Sequence, residues 1–239
     1  MKRYPAAPTW QLKPFAHHID GGFGAIGDAF HDAAERLDQS VTDRPFYNSS
    51  LPAAYLHRHA TELYLKACII ILHRSLGLPF SQAKPDDPAI KVNGDWLPIR
   101  SVHSVTKLHA YLVRLLEENG PTLSETTTTD WAALPPELRH WISGISEFDE
   151  ASTFFRYPGL DDDTKSDFRE SSIAEIWSSL GPDDKPLKGY LEFDHNDNLT
   201  GAFCLDLSRL EPVLDLLRKA SETLSTLHFA LRSELGKGR

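Results

Sequence analysis

The chain has 239 residues, 41% of them hydrophobic, enough for a substantial core in one large domain or two small ones. A formal net charge of −9 and a pI of about 5.6 argue against broad, sequence-blind binding of DNA or RNA, which needs a basic surface, though not against a local phosphate site. The longest apolar stretch, Ala67 to Leu72, is far too short to span a bilayer.

Residues 1–20 read as an extended, proline-broken arm whose Tyr4, Trp10 and Phe15 can dock on the body. The opening MKRYPAAPTWQLKP lacks the apolar run of a signal peptide, so a cytoplasmic location is expected. The two cysteines, Cys68 and Cys204, sit in apolar runs and read as small buried hydrophobes of a reducing compartment. The His17-His18 pair lacks the cysteine or acidic company of a metal site, and no metal or other cofactor is expected.

GGFGAIG, Gly21 to Gly27, does not follow a strand, which weakens it as a phosphate loop; a helix capped by Asp20 and running to about Ser40 is the better reading. Thr42 to Leu51 is a loop. Leu51 to Arg74 then reads as one long helix around which the chain is organised, with Pro52 tolerated in its first turn. At about 100° per residue, Leu56, Ala60, Leu63, Tyr64, Ala67, Ile70 and Ile71 fill one broad arc, while Leu65, Cys68 and Leu72 fill much of the other side. The remaining stripe carries Tyr55, Arg58, His59, Glu62, Lys66 and His73. Titratable groups on a core helix must be paired or must face a cleft. Glu62 and Lys66 stand at i,i+4 in the favourable order for pairing.

Residues 77–100 form an insertion carrying a small hairpin, Ile90 to Leu97, on a type I′ Asn93-Gly94 turn, which is expected on the surface. A helix follows from about Ser104 to Asn119-Gly120. His103 lies just before it, where an imidazole can either cap or meet an anion. Thr122 to Asp130 reads as a linker. Pro135-Pro136 opens a helix with Leu138, Trp141, Ile142, Ile145 and Phe148 on one face. It leads into EFDEASTFFRYPG, where aromatics and a Pro-Gly turn frame Arg156. That guanidinium can answer Glu62 or Asp149, or a bound phosphate. A short helix around Ile173, Ile176 and Trp177 is expected next. A second hairpin falls within the insertion 186–206, and DHNDN there lacks the glycine and distal glutamate of a calcium loop. The last helix spans about Ser208 to Leu235, with a capping box at Ser208 and Glu211.

Three segments together, Arg58-His59-Ala60-Thr61-Glu62-Leu63-Tyr64-Leu65-Lys66, His103-Ser104-Val105 and Phe155-Arg156-Tyr157-Pro158, resemble the HEPN superfamily in its prokaryotic branch. The resemblance covers roughly residues 52 to 235. It implies a mainly α, up-and-down helical bundle, here one domain over 1–239 with one or two small β-hairpin insertions. It further implies a homodimer acting on RNA or a nucleotide in a defence or toxin–antitoxin system, with an antitoxin or other partner protein. Catalytic members carry an arginine followed after four to six residues by histidine, and no arginine here has a histidine at that distance.

Two functional readings stay open. In the first, a metal-independent ribonuclease, His59 or His103 is the base, Arg156 with Arg58 or Lys66 holds the phosphate, and Glu62 orients an imidazole or locks Arg156. Asp149 and Tyr157 complete the expected surroundings. In the second, the same groups form a structural network or a pocket of a non-catalytic binding module. A zinc or di-metal hydrolase is disfavoured, because the eleven histidines lack ligand spacing.

Overall fold

The computed structural model describes residues 13–40, 50–131, 134–150, 168–179, 189–205, 208 and 210–236. Seven α-helices and five short strands lie among them: α1 Phe23–Ser40, α2 Ser50–Ser75, β1 Ala89–Val92, β2 Asp95–Pro98, α3 Val105–Glu118, α4 Gly120–Thr126, α5 Pro136–Asp149, β3 Phe168–Glu170, α6 Ile173–Ser179, β4 Gly189–Phe193, β5 Leu199–Leu205 and α7 Leu210–Glu234. The protein is mainly α with two small antiparallel sheets, β1-β2 and β3-β5-β4.

α2 is the axis of the helical part. It packs against α1, α3 and α7, while α5 closes the far side against α3 and α7. From Ala60 to His73 every residue of α2 is buried, which follows from its nearly all-round apolar surface. Its partners are amphipathic and present single stripes: Leu108, Leu112, Leu115 and Leu116 from α3, Leu138, Ile142 and Ile145 from α5, and Leu217, Leu224 and Leu231 from α7.

α1 begins as the sequence requires. Asp20 accepts from the backbone nitrogens of Gly22 at 2.9 Å and Gly24 at 3.0 Å, filling the role of an N-terminal cap. The chain reaches that position through Gly21 and Gly22 at φ of +68° and +88°, a conformation glycine adopts without strain. Phe15 lies in a short 3₁₀ turn, half exposed at 53%. Tyr4 and Trp10 lie outside the described residues.

The hairpin turns at Asn93 and Gly94, both with positive φ, as a type I′ turn needs. It is not wholly a surface insertion. Ala89 and Ile90 of β1 and the following Ile99 belong to the core, so one end of the hairpin anchors α3. The expected threonine-rich linker is replaced by α4 over Gly120–Thr126. Pro121 sits in its first turn, buried Leu123 holds it to the core, and Thr126 and Thr127 hydrogen-bond back to its carbonyls. β3 carries no signal in the sequence: three residues are too few for a period-2 pattern to register. α6, β4 and β5 lie where sequence places a short helix and a hairpin. Cys204 on β5 is only partly buried, unlike the fully buried Cys68. No helix among the described residues is long and apolar enough to cross a membrane.

Candidate functional site

Arg58, Glu62 and Lys66 recur every four residues along α2 and so share one stripe, which faces the start of α3. All three are buried: Arg58 is fully enclosed, and Glu62 and Lys66 are each 2% exposed. Lys66 Nζ donates to Glu62 Oε1 at 2.7 Å, and Arg58 Nη1 stands 3.5 Å from Glu62 Oε2. Arg58 Nη2 reaches across to the backbone oxygen of His103 at 2.7 Å. The His103 ring returns to α2, its Nδ1 lying 3.1 Å from Glu62 Oε1.

The position of His103 follows from the cap of α3. The Ser104 side chain accepts from the backbone nitrogen of Lys107, so helical geometry begins at Val105 and His103 stays in the preceding extended chain. Its side chain is 53% exposed, against 3% for that of Glu62. A carboxylate only accepts, so Nδ1 carries the hydrogen toward Glu62, and the lone pair of Nε2 is turned out of that bond. A buried acid that orients a half-exposed imidazole fixes both tautomer and ring direction, the arrangement a general base requires.

Charge is balanced inside the network. Burial lowers the pKa of Arg58, and the negative charges of Glu62, Asp149 and Glu150 oppose that shift. Asp149, 5% exposed, ends α5 and brings the second buried carboxylate. Glu150 ties the same end of α5 to α3, accepting from Ser104 at 2.8 Å and from Thr106 and Ser146.

Of the residues expected at a site, Arg58, Glu62, Lys66 and His103 meet, and Asp149 adds its charge to Arg58. His59 takes its ring contacts elsewhere: edge-on to Phe30 of α1 at 4.5 Å and stacked on Tyr55 at 5.9 Å. Arg156 and Tyr157 lie outside the described residues. Arg58 and Lys66, expected beside a phosphate, are both buried and directed at the His103 carbonyl and at Glu62.

Two further polar clusters escape sequence reading. Buried Asp20 accepts from Arg232 Nη1 at 3.1 Å and lies 3.1 Å from His228 Nε2. Burial alone would raise its pKa; the His228 hydrogen bond and the His228 and Arg232 charges outweigh it and hold the carboxyl far below the usual range. Asp38 accepts a two-bond fork from Arg218, both at 2.7 Å, and meets His57 Nε2 at 3.0 Å, while His57 Nδ1 meets Ser221 Oγ at 2.9 Å. There too burial would raise the carboxyl, and the bonds from Arg218 and His57 bring it down to about 2. The Ser-His-Asp order suggests a hydrolase, but Ser221 is fully buried and donates to the Arg218 carbonyl, so no substrate reaches it. Both clusters tie α7 to the N-terminal part of the chain. The one signal in sequence is helical spacing: Ser221, His228 and Arg232 interrupt the leucine stripe of α7 at core-facing positions.

Among the described residues no group of three or more His, Cys, Asp or Glu is placed to hold a metal ion. Fold and site define a mainly α protein whose buried charge network surfaces at one imidazole. Comparison with family models, curated proteins and solved structures finds no match.

Proposed function

We propose that this chain is a HEPN-like helical protein of a prokaryotic defence or toxin–antitoxin system, cytoplasmic and homodimeric, that cleaves RNA without a metal at a non-standard site. The observation that carries this reading is the half-exposed His103 imidazole held 3.1 Å from buried Glu62. His103 Nε2 accepts the proton of a ribose 2′-hydroxyl. The 2′-oxygen then attacks the adjacent phosphorus as the bond to the 5′-oxygen breaks, and the leaving oxygen regains a proton from the imidazolium. The products are a 2′,3′-cyclic phosphate and a 5′-hydroxyl end. Glu62 stabilises the imidazolium formed on the way, and Lys66 and Arg58 hold that glutamate aligned. Arg156, in the segment that follows Asp149, is the proposed phosphate holder, with Tyr157 beside it in sequence. A two-fold dimer would present two such sites together.

The test is incubation of the purified protein with total RNA and with tRNA, in the presence and absence of EDTA. Cleavage that persists in EDTA, leaves cyclic phosphate ends and disappears in His103→Ala and Arg156→Ala supports the reading. Undiminished cleavage in both variants removes it.

A second reading has its own support. The net charge of −9 disfavours a long RNA, and Glu62 is already fully engaged by its neighbours. The protein would then be a non-catalytic HEPN module for a nucleotide or for an antitoxin-type partner. Glu62→Gln separates the two: loss of cleavage in a folded protein favours the enzyme, loss of the fold favours the structural network.

A further inference from the structure

A cleft of about 420 Å³ opens between the β1-β2 hairpin and the second half of α3, and its lining combines rings with cations. Lys91 and Trp96 are directly paired across the hairpin and both contribute. Trp96 is 40% exposed and shares the cleft face of the hairpin with Lys91, opposite to buried Ile90, so the indole is displayed at the cleft. On the opposite wall the Arg114 guanidinium lies 4.8 Å from the centre of the Tyr111 ring and 3.7 Å from Glu118. Tyr111 continues inward as a column, nearly parallel to His73 at 5.9 Å, which stacks in turn on Phe80 at 4.4 Å. The column fixes the Tyr111 wall, with His73 Nε2 at 3.0 Å from the Tyr111 hydroxyl.

We propose that this cleft binds a nucleoside phosphate, free or as one unit of a single-stranded RNA, with the base on Trp96 and the phosphate between Lys91 and Arg114. Three observations support the class of ligand. An exposed indole offers a π-face for a planar ring. Two cations from opposite walls match one anionic group rather than an extended polyanion, in keeping with a chain of net charge −9. A volume of about 420 Å³ lies in the range of small-ligand pockets and exceeds what an inorganic anion fills. Glu118, which pairs with Arg114, supplies an acceptor for a base amino group or a ribose hydroxyl. This site is separate from His103 and does not rest on cleavage there.

The probes are AMP, adenosine, inorganic phosphate and a six-nucleotide oligoadenylate, each titrated into the full chain in EDTA while indole fluorescence and calorimetric heat are followed. AMP should bind saturably and more tightly than adenosine or phosphate. Trp96→Ala should weaken AMP binding roughly tenfold or more, and Arg114→Gln should weaken it while leaving adenosine unchanged. If the oligoadenylate binds tighter than AMP and depends on Trp96 in the same way, chain nucleotides are the natural ligand; if AMP binds as well or better, free nucleotides are. Failure of both to bind, or binding that Trp96→Ala leaves intact, overturns the proposal. Because the cleft lining shares no residue with the His103 network, loss of RNA cleavage in His103→Ala and loss of AMP binding in Trp96→Ala are read separately.

Discussion

Glu62 carries more of the α2 network than any other side chain, since a single carboxylate faces two buried cations and an imidazole. Removing it would leave Lys66 and Arg58 with uncompensated charge in the interior, and breaking a buried pair in this way costs about 3–5 kcal/mol. Glu62→Ala is therefore expected to lower the urea midpoint strongly, an outcome equilibrium unfolding followed by circular dichroism will show. His103→Ala is the contrasting case. Its ring is half exposed and the Arg58 bond goes to its backbone oxygen, which alanine keeps. The thermal midpoint should shift little, while RNA cleavage, if His103 is the base, should fall about 10²–10⁴-fold. The pair of variants separates what the network holds together from what it does. At this scale much of the site was legible: Arg58, Glu62 and Lys66 at four-residue spacing on an otherwise apolar helix had to meet a partner, and His103 met them. His57 was not legible, because its partners Asp38 and Ser221 lie 19 and 164 residues away and nothing local distinguishes it from His59.

Among elements, the start of α1 shows how a glycine-rich stretch can mean packing rather than phosphate. Helix propensity favours alanine over glycine by about 1 kcal/mol, so propensity alone favours alanine at Gly24 in the first turn of α1. A Cβ there, however, would overlap His228 Nε2 and stand 2.6 Å from Asp20 Oδ2, within the buried Asp20 cluster. Gly24→Ala is expected to destabilise by about 1–3 kcal/mol, against the propensity, with the loss seen in the urea midpoint. The long periodic helices were legible to within a residue or two, since α2, α3 and α5 carry apolar stripes bounded by Pro, Ser and Asn-Gly signals. α4 was not: a run of threonines looks like linker until Leu123 finds the core, and tertiary burial overrides the weak local preference. The hairpin turn was plain from Asn93-Gly94, but the burial of Ile90 was not, because a four-residue strand does not reveal which face meets a helix.

Across the whole molecule, polar groups sealed between helices make stability depend on pH from both sides. Burial lowers the pKa of His73, with the Leu78 and Pro79 backbone opposing, and that of His109, with the Arg139 charge assisting. Both imidazoles resist protonation when folded, so the unfolded chain binds more protons once pH drops below about 6.5, and stability falls from there. Asp38, held at about 2 against an ordinary 3.8, adds stability that is present above 3.8 and lost toward 2, and Asp20 behaves likewise at still lower pH. On the alkaline side burial raises the pKa of Cys68 and, with the Asp28 charge, that of Tyr64, above ordinary values of 9.0 and 10.0. Their stabilisation is present below those values and lost as the unfolded chain ionises above them. The thermal midpoint should thus be flat between about pH 7 and 8.5 and decline on either side. Relief of the −9 net charge on acidification works the other way, so the measurement belongs at 0.15 M salt or above, where that repulsion is screened within about 8 Å. Differential scanning calorimetry from pH 8 to 5 then isolates the buried histidines, and His73→Gln should flatten part of the acid decline. A midpoint that climbs as pH falls from 7 to 5 under these conditions would mean that neither imidazole is sealed from water in the folded protein.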